Sequence, residues 1–400
     1  VSAVQPLFIP RGFRASAVKA GIKPSGNLDL ALLVADTPCS AAGTFTTNRV
    51  AAAPVQWDRA LVPSDRIQGI VINAGNANAA TGAQGLANTG TTASFLARAI
   101  GCDPKGVLVA STGIIGHQLP MDRVEAGVAK AYAELSHAES SFRAASDAIL
   151  TTDTHPKVVT RKFAVGDTEV KLLGLCKGAA MIGPRMATML GFLMTDAAVA
   201  PADLQAILKE AVEVSFNCIS VEGHESTNDT VLLLASGAAG GPKLAGAELD
   251  LFATQVKTAC IDLAKMIPGD GEGASHTITI DVEGARTRDE ARAIARAVAD
   301  SPLVKTAIHG ADPNWGRIVS AAGYSGVNFD EPELSLWLNG TPLYRDGAPV
   351  AFDAAAVSTG IRNNRETAIR LVLTHGSASI RFWTCDLTAE YIRLNADYTT

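Results

Sequence analysis

The sequence predicts a layered α/β fold, and three observations carry that expectation. Short apolar, strand-like runs alternate with helix-length amphipathic segments along the 400 residues. The same mixture continues on both sides of position 188, so neither half reads as all-α or all-β. The length permits a large buried core arranged as two units, and 47% hydrophobic with 18% charged residues is the balance of a globular chain.

In chain order, the apolar run at 28–34 reads as a strand, and 44–48 and 55–57 as further short strands with β-prone Thr, Phe, Val and Trp. Residues 67–73 (IQGIVIN) form a continuous apolar strand opening into the small polar loop 74–78. Residues 86–100 place Ala, Leu and Phe on one helical face. A short strand at 107–110 empties into STGIIG, a strand-then-glycine loop able to aim backbone N–H groups at an anion. Two helices fill 121–150, a hairpin spans 157–175, and 189–194 is a buried strand. A helix opens with Pro201 in its first turn and runs to about 216, followed by the strand VLLLAS. Helices at 247–266 and 286–299 flank a strand at 276–282 with period-two alternation. A turn at 310–317 opens another helix, and strands follow at 334–338, 342–351, 367–374 and 378–385.

Composition narrows the function classes. The net charge is −6 with no basic block, so there is no electrostatic footprint for nucleic acid. No apolar run reaches the roughly 20 residues of a membrane span. The first 16 residues lack the apolar core of a signal peptide. The six cysteines are dispersed without a CxxC pair, which speaks against zinc and disulfide frameworks. These features together predict a cytoplasmic protein. The seven histidines show no metal-ligand spacing, and GxxxxGK[ST], GxSxG and HExxH are absent, so no metal or cofactor is expected.

The stretch Lys177–Ala197, KGAAMIGPRMATMLGFLMTDA, holds four of the six methionines. Glycines and a proline break its first half; then Ala187-Thr188 leads into the apolar strand. A small residue, a threonine and a buried strand are what an N-terminal threonine nucleophile requires, because the bond before it must be reachable and the new terminus rigidly held. The same residues also suit an ordinary strand-initial threonine. Thr151-Thr152-Asp153-Thr154 is a dense hydroxyl and carboxylate cluster that equally fits a self-capped helix terminus. Asp270 and Glu272, two apart in a glycine-rich loop, suit amine binding better than proton transfer, since no partner for the latter is identifiable.

Taken together, KGAAMIGPRMATMLGFLMTDA, NAGNANAATG (73–82), STGIIG (111–116), TTDTHPK (151–157), STNDT (226–230), GDGEGA (269–274), GADPNWGRI (310–318) and the terminal CDLTAEYIRLNADYTT (385–400) resemble the ornithine acetyltransferase family along nearly the whole chain. The resemblance implies a layered αββα sandwich of the N-terminal-nucleophile-like type, with a smaller α/β lobe toward the C-terminus. It implies autoproteolysis between Ala187 and Thr188, giving an α chain (1–187) with the oxyanion hole and part of the substrate site, and a β chain (188–400) beginning at the nucleophile. A free threonine hydroxyl needs an adjacent base. Cleavage supplies one, the Thr188 α-amine, which titrates at about 7.7–8.0 in model peptides.

By the same resemblance Thr188 attacks the acetyl group of N2-acetylornithine, Thr112 and Gly113 form the oxyanion hole, and glutamate takes the acetyl group in a ping-pong cycle. No metal or prosthetic group takes part, and some members also accept acetyl-CoA. The implied substrate contacts are Thr151 with Thr152, Lys177, Thr188, Glu272, Asn395 and Thr400. The implied assembly is an αβ heterodimer building a higher oligomer, acting on small molecules rather than on nucleic acid or membrane. Neighbouring readings are a self-processed amidohydrolase or aminopeptidase of related fold and an unprocessed amino-acid-binding protein.

Three departures from the family pattern bear on these expectations. Ala180 stands where the family usually has glycine; if that position needs φ > 0, alanine costs about 1 kcal/mol there. Residues 222–225 read EGHE in place of DGDT. Ser275 and His276 follow GDGEGA where threonine and a basic residue are usual.

Overall fold

The computed structural model describes residues 6–183 and 189–397. Its first sheet contains β1 (Phe13–Val18), β2 (Leu30–Phe45), β3 (Ser64–Asn76), β4 (Val107–Ile114), β5 (Lys157–Val165), β6 (Thr168–Lys177), β7 (Leu190–Thr195) and β8 (Thr230–Ala235) in the order β4-β3-β2-β8-β7-β6-β5, with β1 beside β2. The second contains β9 (Thr277–Ala285), β10 (Leu334–Leu338), β11 (Thr341–Arg345), β12 (Ala348–Pro349), β13 (Glu366–Leu373) and β14 (Ala378–Cys385) in the order β12-β11-β10-β13-β9-β14. The helices are α1 (Ala53–Arg59), α2 (Gly82–Ile100), α3 (Met121–Ala133), α4 (Glu139–Ala148), α5 (Pro201–Glu213), α6 (Gly246–Gly269), α7 (Arg288–Ala299), α8 (Pro302–His309), α9 (Trp315–Gly323), α10 (Ala354–Asn363) and α11 (Ala389–Asp397).

Period-two alternation shows how the first sheet becomes a sandwich. Ala31 and Leu33 of β2, Ile70 and Ile72 of β3, and Leu108 of β4 share one core with Leu173 of β6, Phe192 and Met194 of β7, and Leu232 of β8. The intervening residues turn outward. Leu30, Leu32 and Val34 pack with Ala93 and Leu96 of α2 and Val124 of α3. On the other side, Leu193, Val231 and Leu233 pack with Leu208 of α5 and Leu263 of α6. The result is helices, strands, strands, helices. The 16-residue β2 joins the two strand layers, pairing with β3 along its first half and with β8 over 40–45. The outer core beneath α6 runs on into Ile278 and Ile280 of β9 and Phe382 of β14, so the smaller C-terminal α/β lobe is seated on the sandwich.

Several local expectations differ from the structure: the runs at 28–34 and 44–48 contribute to the single strand β2, and 342–351 is broken into β11 and β12. Residues 55–57 lie in α1, where Pro54 occupies the first turn and Val55 and Asp58 are buried; two β-prone residues, Val55 and Trp57, are too few to override that start. The strand expected to end at 110 continues through Ile114. The helices α8, α10 and α11 were not anticipated. Two of them carry legible caps: Ser301 accepts from Val304 N with Pro302 following, and Asp353 accepts from Ala356 N.

Candidate active site

The donor loop is built by backbone proximity. Gly113 has φ +129°, and a Cβ there would lie 2.4 Å from the carbonyl carbon of Gly75. Glycine is therefore required for β4 to run against β3 at this point. Thr112 is buried, and its hydroxyl has no partner among the described residues. Ser111 Oγ donates to Asn73 Oδ1 at 2.6 Å. Asn228 Nδ2 donates to Ser111 O at 2.8 Å and to Ala77 O at 2.6 Å, fixing the loop from the other strand layer.

The next residue, Asp229, holds the start of β7. Its Oδ1 accepts from Met189 N at 3.0 Å, and Thr230 N donates to Met189 O at 3.3 Å. Asn228 and Asp229 thus tie the Thr112–Gly113 loop to the residue that follows Thr188. Burial pushes the Asp229 carboxyl well above the usual carboxylate range, and its Oδ2 has no partner among the described residues. Thr188 and Ala187 lie outside the described residues, as does Thr400.

Lys177 closes β6 with its side chain inside the protein. Its Nζ donates to Thr151 Oγ1 at 2.7 Å and lies 3.8 Å from Asp153 Oδ2. Asp153 Oδ1 also accepts from Gly178 N at 2.6 Å and Lys157 Nζ at 2.8 Å, and Lys157 Nζ reaches Asp270 Oδ2 at 2.6 Å. Two carboxylates and two ammonium groups therefore share one buried cluster. Burial works to raise the Asp153 carboxyl, but Lys177 and Lys157 overcome it and hold Asp153 well below its ordinary value. Burial lowers Lys177 despite Asp153. For Lys157 burial also acts downward, but Asp153 and Asp270 outweigh it and the net shift is upward. Thr152 is exposed, and no side-chain contact places it with this cluster.

Glu272 enters from the glycine-rich loop. Its N donates to Ala179 O at 2.9 Å, and its Oε2 accepts from Asn395 Nδ2 at 2.9 Å. Thr388 Oγ1 donates to Gly273 O at 2.8 Å, and a Cβ on Gly273 would meet Tyr391 N at 2.6 Å, so α11 sits directly on this loop. The structure thus brings together Thr151, Lys177, Glu272 and Asn395, with Thr112 and Gly113 linked to them through Asn228, Asp229 and β7.

The residues that depart from the family pattern fall around this assembly. Ala180 is not in the left-handed region; Met181, next to it, has φ +56°. The backbone strain expected at position 180 therefore belongs to its neighbour. Glu222 Oε1 accepts from Ile182 N at 2.6 Å, its Oε2 is buried without a partner among the described residues, and burial pushes its carboxyl up to about 8. His224 is exposed, and Glu225 lies 3.8 Å from Arg296. Ser275 and His276 gather with His309 around Asp386, which locks the loop carrying Glu272 to the start of the C-terminal segment.

Asp153, Lys157, Asn228, Asp229 and Glu222 were not singled out as site residues from the sequence. The signal for the first pair was present in TTDTHPK, where an aspartate precedes a lysine by four, but outside a helix that spacing carries no geometry. A cavity of about 710 Å³ lined by His155, Asp262, Lys265 and Arg365 contains none of the expected site residues. Its charged wall is largely self-matched through Arg161–Asp262 and Lys265–Glu366. Among the described residues, no group of three or more His, Cys, Asp or Glu side chains is arranged to hold a metal ion.

Similarity to known proteins runs along nearly the whole chain. The ArgJ family model matches residues 14–400. The arginine biosynthesis bifunctional protein ArgJ of Rhodopirellula baltica is 43% identical over 395 residues, covering 98% of this chain and 96% of its own length. Its counterpart from Symbiobacterium thermophilum is 46% identical over 395 residues, covering 98% of each. The crystal structure of the Bacillus halodurans ArgJ protein superposes with a TM-score of 0.50 at 36% identity, covering 51% of this chain and 96% of that one. With its family signatures matched from end to end and its polar residues gathered around β7, the chain belongs to the ArgJ family.

Proposed function

We propose that this chain is a glutamate N-acetyltransferase of arginine biosynthesis that moves acetyl from N2-acetylornithine to glutamate through an acetyl-Thr188 ester. The observation that carries the reading is the convergence of Lys177, Thr151 and Asp153 with Glu272 and Asn395 from distant segments, beside a donor loop tied to the residue after Thr188. An amino-acid substrate needs a cation for its carboxylate and a carboxylate for its ammonium; Lys177 and Glu272 supply them.

Before the first turnover, hydrolysis of the Ala187–Thr188 bond frees the α-amine. That amine takes the proton of Thr188 Oγ as the oxygen attacks the acetyl carbonyl. The developing oxyanion is met by the Thr112 hydroxyl and Gly113 N–H, each such donor being worth roughly 2.7–4 kcal/mol in the transition state. Collapse expels ornithine, whose departing amine takes a proton from the Thr188 ammonium. The glutamate amine then attacks the ester and Thr188 Oγ is reprotonated. The cycle calls for no metal or prosthetic group, and acetyl-CoA is an alternative acetyl donor at the same threonine. The crystallographic chain from Bacillus halodurans, almost wholly covered by about half of this one, has the length expected of one of two processed polypeptides. Thr400, Thr152, the αβ assembly and a cytoplasmic location complete the reading.

The test is mass spectrometry of the peptide beginning at Thr188 after exposure to acetylornithine. A mass gain of one acetyl group that glutamate discharges as acetylglutamate supports the transferase. Discharge to free acetate alone, with glutamate present, identifies a hydrolase of the same fold instead.

A further inference from the structure

Beyond the residues that act on substrate, one segment grips the chain on both sides of the bond proposed to break. Upstream, Ile182 is 0% exposed and bound at both ends of its peptide group. Its N donates to Glu222 Oε1 at 2.6 Å, and its O accepts from Val221 N at 2.8 Å, Gly223 N at 3.1 Å and Glu222 N at 3.3 Å. Gly183 follows so closely that a Cβ there would lie 2.7 Å from the carbonyl group of Gly223. Downstream, Met189 is bound at both ends by Asp229 Oδ1 and Thr230 N. In sequence, Ile182 lies five residues before the Ala187–Thr188 bond's carbonyl side, and Met189 one residue beyond its amide side. Apart from Ser220 Oγ, which donates to Ile182 O at 3.4 Å, the gripping groups come from 221–230, the same run whose Asn228 holds the donor loop at Ser111 and Ala77.

We propose that residues 221–230 form a two-ended clamp that sets the geometry for self-cleavage, with Glu222 and Asp229 as its positioning residues. This rests on the self-processing reading given above. Intramolecular attack is sensitive to placement, and an error of about 1 Å can cost on the order of 100-fold in rate. Holding both flanks on one rigid segment fixes the span the scissile bond must bridge. The positive φ of Met181 is consistent with a chain constrained to enter this span along one route.

Both carboxyls act as acceptors of a backbone N–H, and burial favours their neutral forms. Around Glu222 the facing charged and titratable groups are Lys305 of α8, Glu272, Tyr391 of α11 and Cys385 of β14. Lys305 favours ionisation of Glu222 and Glu272 opposes it. An ionised Glu222 still accepts from Ile182 N but places a second, unpartnered anionic oxygen in the interior. The clamp should therefore loosen as pH rises through about 8.

The experiment follows splitting of the wild-type chain and the E222A, E222Q, D229A and D229N variants by denaturing gel and intact mass, from pH 6 to 9, with circular-dichroism melting as the control for folding. The expected result is roughly 10- to 100-fold slower splitting in E222A and D229A, recovery in E222Q and D229N, and a flatter pH profile above 8 in E222Q. Folded alanine variants that split as fast as wild type overturn the proposal. If the alanine variants fail to fold, the E222Q profile decides, and one that matches wild type through pH 9 overturns it. A folded wild-type chain that never splits instead refutes the self-processing reading on which the clamp depends.

Discussion

Two groups of buried carboxyls sit a few residues from one another's contacts and are managed in opposite ways. Around Lys177, Asp153 and Asp270 are matched by Lys157 and Lys177, so charge is retained in the interior. Along 221–230, Glu222 and Asp229 accept backbone N–H groups and have no cation within ion-pair distance among the described residues, so burial drives them toward neutrality. Burial acts in the same direction on Asp153, Glu222 and Asp229; on Asp153 the lysines reverse it. Under the proposed function, the matched cluster would present charge to a charged substrate, and the neutral pair would hold backbone without drawing substrate ammonium away from Glu272.

The largest expected effect tests the matched side. Asp153→Ala removes the carboxylate shared by Lys157 and Lys177, and should cost about 3–5 kcal/mol of folding stability. An unchanged denaturation midpoint would show that the cluster is not held together through Asp153. Gly113→Ala places a methyl group against the Gly75 backbone and displaces the donor loop; acetyl transfer should fall by roughly 100- to 1,000-fold, read as kcat. Lys177→Met keeps the length and removes the charge. Its loss should appear mainly as a rise in KM for acetylornithine of roughly tenfold or more, the worth of a hydrogen bond to a charged group; a pure kcat effect would move Lys177 from binding to chemistry.

The fourth prediction uses pH to separate the two groups. Glu222 has a folded value near 8, above that of an unfolded glutamate, so the folded state binds its proton more tightly. Its contribution to stability is present at acid pH and lost as pH rises from about 4.5 through 8, with a swing on the order of 1–3 kcal/mol that Glu222→Gln should abolish. Asp153 runs the other way. Its lowered value gives stability that is present above the ordinary carboxylate range and is lost only as pH falls through the depressed value. A stability profile in which both substitutions alter the same pH limb would erase the distinction. The smallest effect belongs to the exposed lobe. Glu283→Ala breaks the Arg370–Glu283 pair, and melting should register less than about 1 kcal/mol.

Much of the sandwich was legible because its strands are apolar and its helices amphipathic. The continuous runs at 67–73 and 189–194 are buried strands, as their patterns indicate. The short run at 55–57 was not legible, because Pro54 and the burial of Asp58 decide its conformation. Lys177, Glu272 and Asn395 entered through their motifs, and the contact joining Glu272 to Asn395 spans 123 positions that no local pattern encodes. Asp229 looked like one more polar residue in STNDT; its role depends on Met189 lying 40 positions away. The left-handed residue falls at Met181 rather than Ala180, because a motif fixes which stretch turns but not which peptide carries the turn.

The order β4-β3-β2-β8-β7-β6-β5 places two strands that follow position 188 between strands that precede it. β7 is laddered to β6 on one side and to β8 on the other, and β8 to β2, while the inner core draws side chains from both halves. Scission at 187–188 would therefore not release two bodies that can drift apart and meet again. Separating the pieces means opening the middle of a sheet, so dissociation and denaturation become the same event. A processed molecule that has been fully unfolded must solve a two-body problem that its uncut precursor never faced. Its persistence is thus set by how slowly the sheet opens rather than by how readily the fragments find each other.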